Sequence, residues 1–129
     1  RELGLAVETG IGQTGVIARL ERGKGKRVAL RADMDALPIQ DAKSCDYKST
    51  IPGKMHACGH DVHTTMLLGV ASVLVSLGGA VPGNVIFVLQ QAEEVMAEDE
   101  KVKENRLGLL QKIASLSSGI ADLSKLEGF

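Results

Sequence analysis

At 129 residues the chain is about one domain long, enough to bury a core and short for two. Its 44% apolar and 24% charged residues are the balance of a soluble globular protein, and its net charge of −1 exerts no pull on nucleic acid. Tyr47, Phe87 and Phe129 are its only aromatics, which argues against a base-stacking platform and a membrane-interface belt.

In chain order, residues 5–8 and 16–20 read as short β-rich runs flanking a glycine-rich loop. RGKGK at residues 22–26 is exposed, basic turn chemistry. Residues 27–33 (RVALRAD) rise through Val28 and Leu30 as a buried strand that breaks near Pro38. Residues 41–54 are polar, with Pro52-Gly53 as a turn signal, and form a long loop of the kind that usually serves a function. From His60 to Leu77 the recurrence of Val62, Met66, Val70, Val73 and Leu77 at three- and four-residue spacing predicts a helix, stopped by Gly78-Gly79. VIFVL at residues 85–89 is a continuous apolar run, as in a strand covered on both faces. Strand, loop, helix, strand is a crossover unit, so this half is α/β with a partial mixed β-sheet.

Beyond Glu94 the texture changes. From about Asp99 the chain reads as one helix, and Leu109, Ile113, Leu116, Ile120 and Leu123 form an apolar seam. Such a seam suits packing on the domain, a helical hairpin or a dimer contact. The division is therefore an α/β part at residues 1–94 and a helical tail at residues 95–129. The apolar stretch at residues 66–77 falls short of the about 20 residues a membrane-spanning helix needs. Cys45 and Cys58 are too few for a secreted disulfide scaffold, and the opening Arg1-Glu2-Leu3-Gly4 is no signal peptide. The expectation is a cytoplasmic protein whose start lies upstream of Arg1.

Two motifs invite a chemical reading. Gly10-Ile11-Gly12-Gln13-Thr14-Gly15 fits the dinucleotide pattern G-x-G-x-x-G. Only about seven residues follow before the next glycine break, too few for a crossover helix, and Val16-Ile17 favours a strand. A hairpin connection is the better reading, and nucleotide binding is rejected. The second motif is MHACGHDVH at residues 55–63, which gathers all three histidines. Cys58 and His60 set a thiolate and an imidazole two apart across Gly59, donors that suit zinc or another late divalent metal. A free cysteine beside capping histidines would read the same way. RADMD at residues 31–35 and QQAEE at residues 90–94 add carboxylates at the ends of two predicted buried strands, where α/β sheets form sites. Neighbouring carboxylates can divide into metal ligand and general base, although solvated glutamates leading into a helix are the plainer alternative.

RADMDALPI, MHACGHDVHTTMLLG and the AEE after VIFVLQQ, in that order, resemble the zinc-dependent aminoacylase and carboxypeptidase family of metallopeptidases. The nearest branch is that of indole-acetyl-amino-acid, hippurate and N-acyl-amino-acid hydrolases, over residues 3–94. The resemblance implies Cys58, His60 and Glu94 as metal ligands, for zinc or a substitute such as manganese or cobalt. It implies Glu93 as general base toward a metal-bound water and Asp33 as an orienting residue. The implied substrate is a small N-acyl amino acid. This chain has Gln91 where the family has proline, and no histidine after His63, whereas the family draws two more histidine ligands from later segments. A two-metal centre of that kind cannot be completed here, so an incomplete catalyst is expected.

The tail, in ENRLGLL and IADLSKL, is similar to the C-terminus of the bacterial glycyl-tRNA synthetase beta subunit. That likeness would make the chain a natural or engineered chimera joined near Glu94-Val95, a non-catalytic folding unit being the alternative function. The tail's six acidic residues outnumber its five basic ones, which argues against tRNA binding. A homodimer through the tail helix is the expected assembly.

Overall fold

A computed structural model describes residues 1–91 and 100–116. The strands are β1 (Ala6–Ile11), β2 (Gly15–Leu20), β3 (Arg27–Asp33) and β4 (Asn84–Gln90), and the helices are α1 (His60–Ser76) and α2 (Glu100–Leu116). The four strands form one sheet in the order β1-β2-β4-β3. β1 and β2 are an antiparallel hairpin, β2 and β4 are antiparallel, and β3 and β4 are parallel. The mixed α/β sheet with a crossover helix is as the sequence predicts. The glycine-rich loop is the hairpin turn, with Gly10, Gly12 and Gln13 at positive φ.

β4 lies in the middle, and its VIFVL run is buried throughout apart from a partly exposed Leu89. Side chains alternate across the sheet, so β4 feeds two cores. On one face Ala18, Leu20, Ala32, Val85 and Phe87 meet Leu67 and Ala71 of α1. On the other, Ile17, Ile86 and Val88 meet Leu109 and Ile113 of α2, with Leu116 partly buried beside them. The described part of the tail seam is thus buried within one chain, and the sheet is covered on both sides. Ile120 and Leu123 lie outside the described residues. Lys112 Nζ of α2 also reaches Glu8 Oε2 of β1 at 2.6 Å. That hydrogen bond, with Arg19 beside it, holds the Glu8 carboxyl below its ordinary range.

One expectation fails. β3 is not a buried strand: it is an edge strand, with Val28 56% exposed and only Ala32 fully buried. α1 forms where the spacing predicts it, but the residues that set that spacing are not the ones it buries. The helix meets the sheet through His60, Leu67 and Ala71, with Leu74 and Val75 packed alongside. Val62, Met66, Val70, Val73 and Leu77 are between 41% and 58% exposed. α1 is apolar almost all round, so two faces satisfy the same helical period and spacing alone cannot choose between them.

The basic turn before β3 is fixed by Asn84. Its buried amide donates to the carbonyls of Gly23 and Gly25 and accepts from Arg22 N–H at 2.6 Å. Gly83 is required there, because a Cβ would lie 2.7 Å from the Lys26 carbonyl oxygen.

Candidate metal centre

The carboxyl ends of parallel β3 and β4 meet the first turn of α1, the position at which α/β sheets build sites. Gly59, at φ 105°, caps α1 in a conformation other residues resist, and so turns the chain between Cys58 and His60. His60 is 4% exposed and Cys58 is exposed. The His60 Nδ1 lies 3.1 Å from Asp35 Oδ1 and 3.3 Å from the Asp35 carbonyl oxygen. The His63 ring follows one helical turn on, its centroid 6.0 Å from that of His60.

Asp33 sits differently. Its side chain is on the opposite sheet face from Ala32, which packs toward α1. There its carboxylate takes both Nε and Nη2 of Arg31, at 3.1 and 2.8 Å. Its carbonyl oxygen accepts the Thr64 hydroxyl of α1 at 3.0 Å. Asp33 therefore ties strand to helix, while the carboxylate on His60 belongs to Asp35, just past the strand end. The sequence carried a signal for Asp35, as the second acid of RADMD, but not its role. Gln90, paired with Asp33 in register, is 4% exposed, and its Nε2 has no hydrogen-bond partner among the described residues.

Glu93 and Glu94 lie outside the described residues. Among the described residues no three histidine, cysteine, aspartate or glutamate side chains are grouped to hold a metal ion. The donor chemistry nevertheless fits one: a thiol, and an imidazole already fixed by a carboxylate through its other nitrogen.

The long loop builds a cavity of about 610 Å³ next to this point, within the range of small-molecule sites. Lys48, Lys54, Tyr47 and His56 line it together with Asp61 of α1. Asp41 anchors the loop: 2% exposed, it accepts Lys43 N–H and Ser49 N–H, both at 3.0 Å, and pairs with Lys43 Nζ. The Ser49 and Lys43 backbone donors hold its carboxyl below the ordinary carboxylate range. Among the described residues no helix is long and apolar enough to cross a membrane.

An α/β sandwich with cysteine, histidine and carboxylates at the carboxyl ends of its parallel strands has the frame of a metallohydrolase. The chain belongs to peptidase family M20/M25/M40, whose model matches residues 29–116. It is similar to IAA-amino acid hydrolase ILR1-like 5 of Arabidopsis thaliana, 44% identical over 98% of this chain and 30% of the relative. It is also similar to thermostable carboxypeptidase 2 of Saccharolobus solfataricus, 48% identical over 73% of this chain and 24% of the relative. Among solved structures, the Bacillus subtilis YXEP protein, described as a dinuclear metal-binding M20 peptidase, superposes with a TM-score of 0.69. It is 40% identical and covers 82% of this chain, which spans 30% of it. The chain thus spans between 24% and 30% of the length of these relatives.

Proposed function

We propose that this chain carries part of a divalent-metal amidohydrolase centre that cleaves the amide bond of small N-acyl amino acids. The observation that carries the reading is His60, buried at the carboxyl ends of β3 and β4, with Nδ1 on Asp35 and Cys58 two residues before it. An imidazole that donates Nδ1–H to a carboxylate is fixed in the tautomer that offers Nε2 to a metal. Thiolate and imidazole together favour zinc, with manganese and cobalt as substitutes.

By family likeness Glu94 is the third ligand and Glu93 the general base. A metal held there would supply Lewis-acid polarisation and acidify water. Glu93 then takes the proton from water and passes it to the departing amine. Asp35 holds His60, and Asp33 is a positioning residue that fixes α1 through Thr64. Lys48 and Lys54 give the neighbouring cavity the charge to receive a substrate carboxylate. The names of the relatives, an amino acid conjugate hydrolase and a carboxypeptidase, support a substrate in which an amide joins an amino acid.

Elemental analysis of metal-replete, dialysed protein tests the reading. About one ion per chain is expected, lost in Cys58→Ser and in His60→Ala, because removing one of three ligands leaves too few to compete with water. Protein that retains no metal, or a Cys58→Ser variant that binds equally well, would overturn it.

A further inference from the structure

We propose, resting on the metal-centre reading, that Gln91 is a positioning residue for the Glu93–Glu94 pair, its side chain clamping the end of β4 to the β1–β2 hairpin turn. Gln91 is the first residue past β4, and the two glutamates follow it two and three places later in the chain. Its Oε1 accepts both the backbone N–H and the hydroxyl of Thr14. Strand register makes the contact possible. β2 runs antiparallel to β4 with Val16 opposite Leu89, which brings Thr14 level with Gln91. Because β3 is parallel to β4, with Asp33 opposite Gln90, the turn stands at the same end of the sheet as Asp35 and His60.

The turn is a firm anchor. Gly12 and Gln13 are both at positive φ, 62° and 107°. A Cβ at Gly12 would lie 2.7 Å from the Asn105 carbonyl oxygen of α2 and 3.3 Å from Gln91 Nε2. The turn is thus wedged between the α2 backbone and the Gln91 amide, and Leu109 and Ile113 hold α2 to the sheet. On the other side, the Gln90 carbonyl accepts Met34 N–H at 2.8 Å, and Met34 adjoins Asp35, the aspartate on His60. Two consecutive residues are therefore tied down, Gln90 toward His60 and Gln91 toward the hairpin, just before the sequence that carries the glutamates. The glycine-rich loop, rejected as a nucleotide site, has a task here.

A ligand whose chain starts from a fixed point gives up less conformational freedom on binding than one on a loose chain. By family likeness Glu94 is a ligand, so loss of the clamp weakens the metal through Glu94 while Cys58 and His60 are untouched. Supports of this kind are typically worth about 10- to 100-fold in metal affinity.

Cobalt titration of four variants tests the clamp. Gln91→Leu removes the acceptor and should weaken cobalt binding at least about tenfold. Thr14→Val loses the hydroxyl but keeps the N–H and should weaken it less, whereas Thr14→Ser, which keeps the hydroxyl, should match wild type. Adding Thr14→Val to Gln91→Leu should cost nothing further, since both break one contact. At saturating cobalt, Gln91→Leu should shift the visible d–d bands, which report coordination geometry, and keep the sulfur charge-transfer band of Cys58. A merely structural role would lower the melting temperature of the metal-free protein and leave affinity and bands as in wild type. That result would overturn the proposal, as would additive losses in the double variant. A wild-type chain that takes up no cobalt removes the metal-centre reading and the clamp with it. A wild-type complex lost in Cys58→Ser but unaffected by Gln91→Leu overturns the clamp alone.

Discussion

Asp35 and Asp41 are two aspartates with different work to do. Asp35 lies against a ring nitrogen of a candidate metal ligand, 3.1 Å from His60 Nδ1. Removing such a support typically lowers metal affinity 10- to 100-fold. Asp35→Ala should therefore weaken zinc binding by about that factor in a competition titration with a chromophoric chelator. An unchanged affinity would mean that His60 is held by other contacts. Asp41 has a structural task, accepting two backbone N–H groups in a loop without regular structure. Its folded-state carboxyl sits below the ordinary value of 3.8, so its stabilising contribution is present above that value. It is lost as pH falls through the lower, folded-state value. Melting temperature should drop on acidification through that window, and Asp41→Asn should be less stable at neutral pH and show a flatter acid limb. Parallel acid limbs for the two proteins would assign the acid sensitivity to other carboxylates.

At the scale of elements, α2 is the informative case. Leu109 and Ile113 are 3% and 7% exposed against Ile17, Ile86 and Val88, so the helix covers β2 and β4 on one face of the sheet. Leu109→Ala should cost about 2–5 kcal/mol in urea unfolding, as buried leucine truncations do. Ile113→Asp, which buries an unpaired charge, should unfold the chain. Little change in either would show that α2 is not part of the folding unit. The helical seam was legible in the sequence because polar residues separate its apolar ones. The face of α1 was not, because apolar residues surround it and only tertiary contact selects Leu67 and Ala71. β4 was legible as central from its unbroken apolar run, whereas the edge position of β3 depends on strand order, which no local pattern encodes. The placement of Asp35 rather than Asp33 against His60 has a similar origin. Alternation sends Asp33 to the far face of the sheet, and the chain must leave the strand before a carboxylate can turn back to His60.

For the whole molecule, the chain spans between 24% and 30% of its relatives' length, and the apolar outer face of α1 fits a helix that is covered on more than one side. Hydrolysis of N-acyl amino acids by this chain alone should therefore fall orders of magnitude below that of a full-length family member, measured by amine release. Robust turnover that depends on Glu93 would show that a partner chain supplies what these residues lack.

The central claim, a metal held at the start of α1 through Cys58, is tested most directly by cobalt substitution. A cobalt–thiolate bond gives a near-ultraviolet charge-transfer band, and only Cys45 and Cys58 can supply the sulfur. The band should appear in the wild-type chain, persist in Cys45→Ser and vanish in Cys58→Ser. A cobalt-loaded protein without the band, or one that loses it with Cys45→Ser instead, would contradict the account.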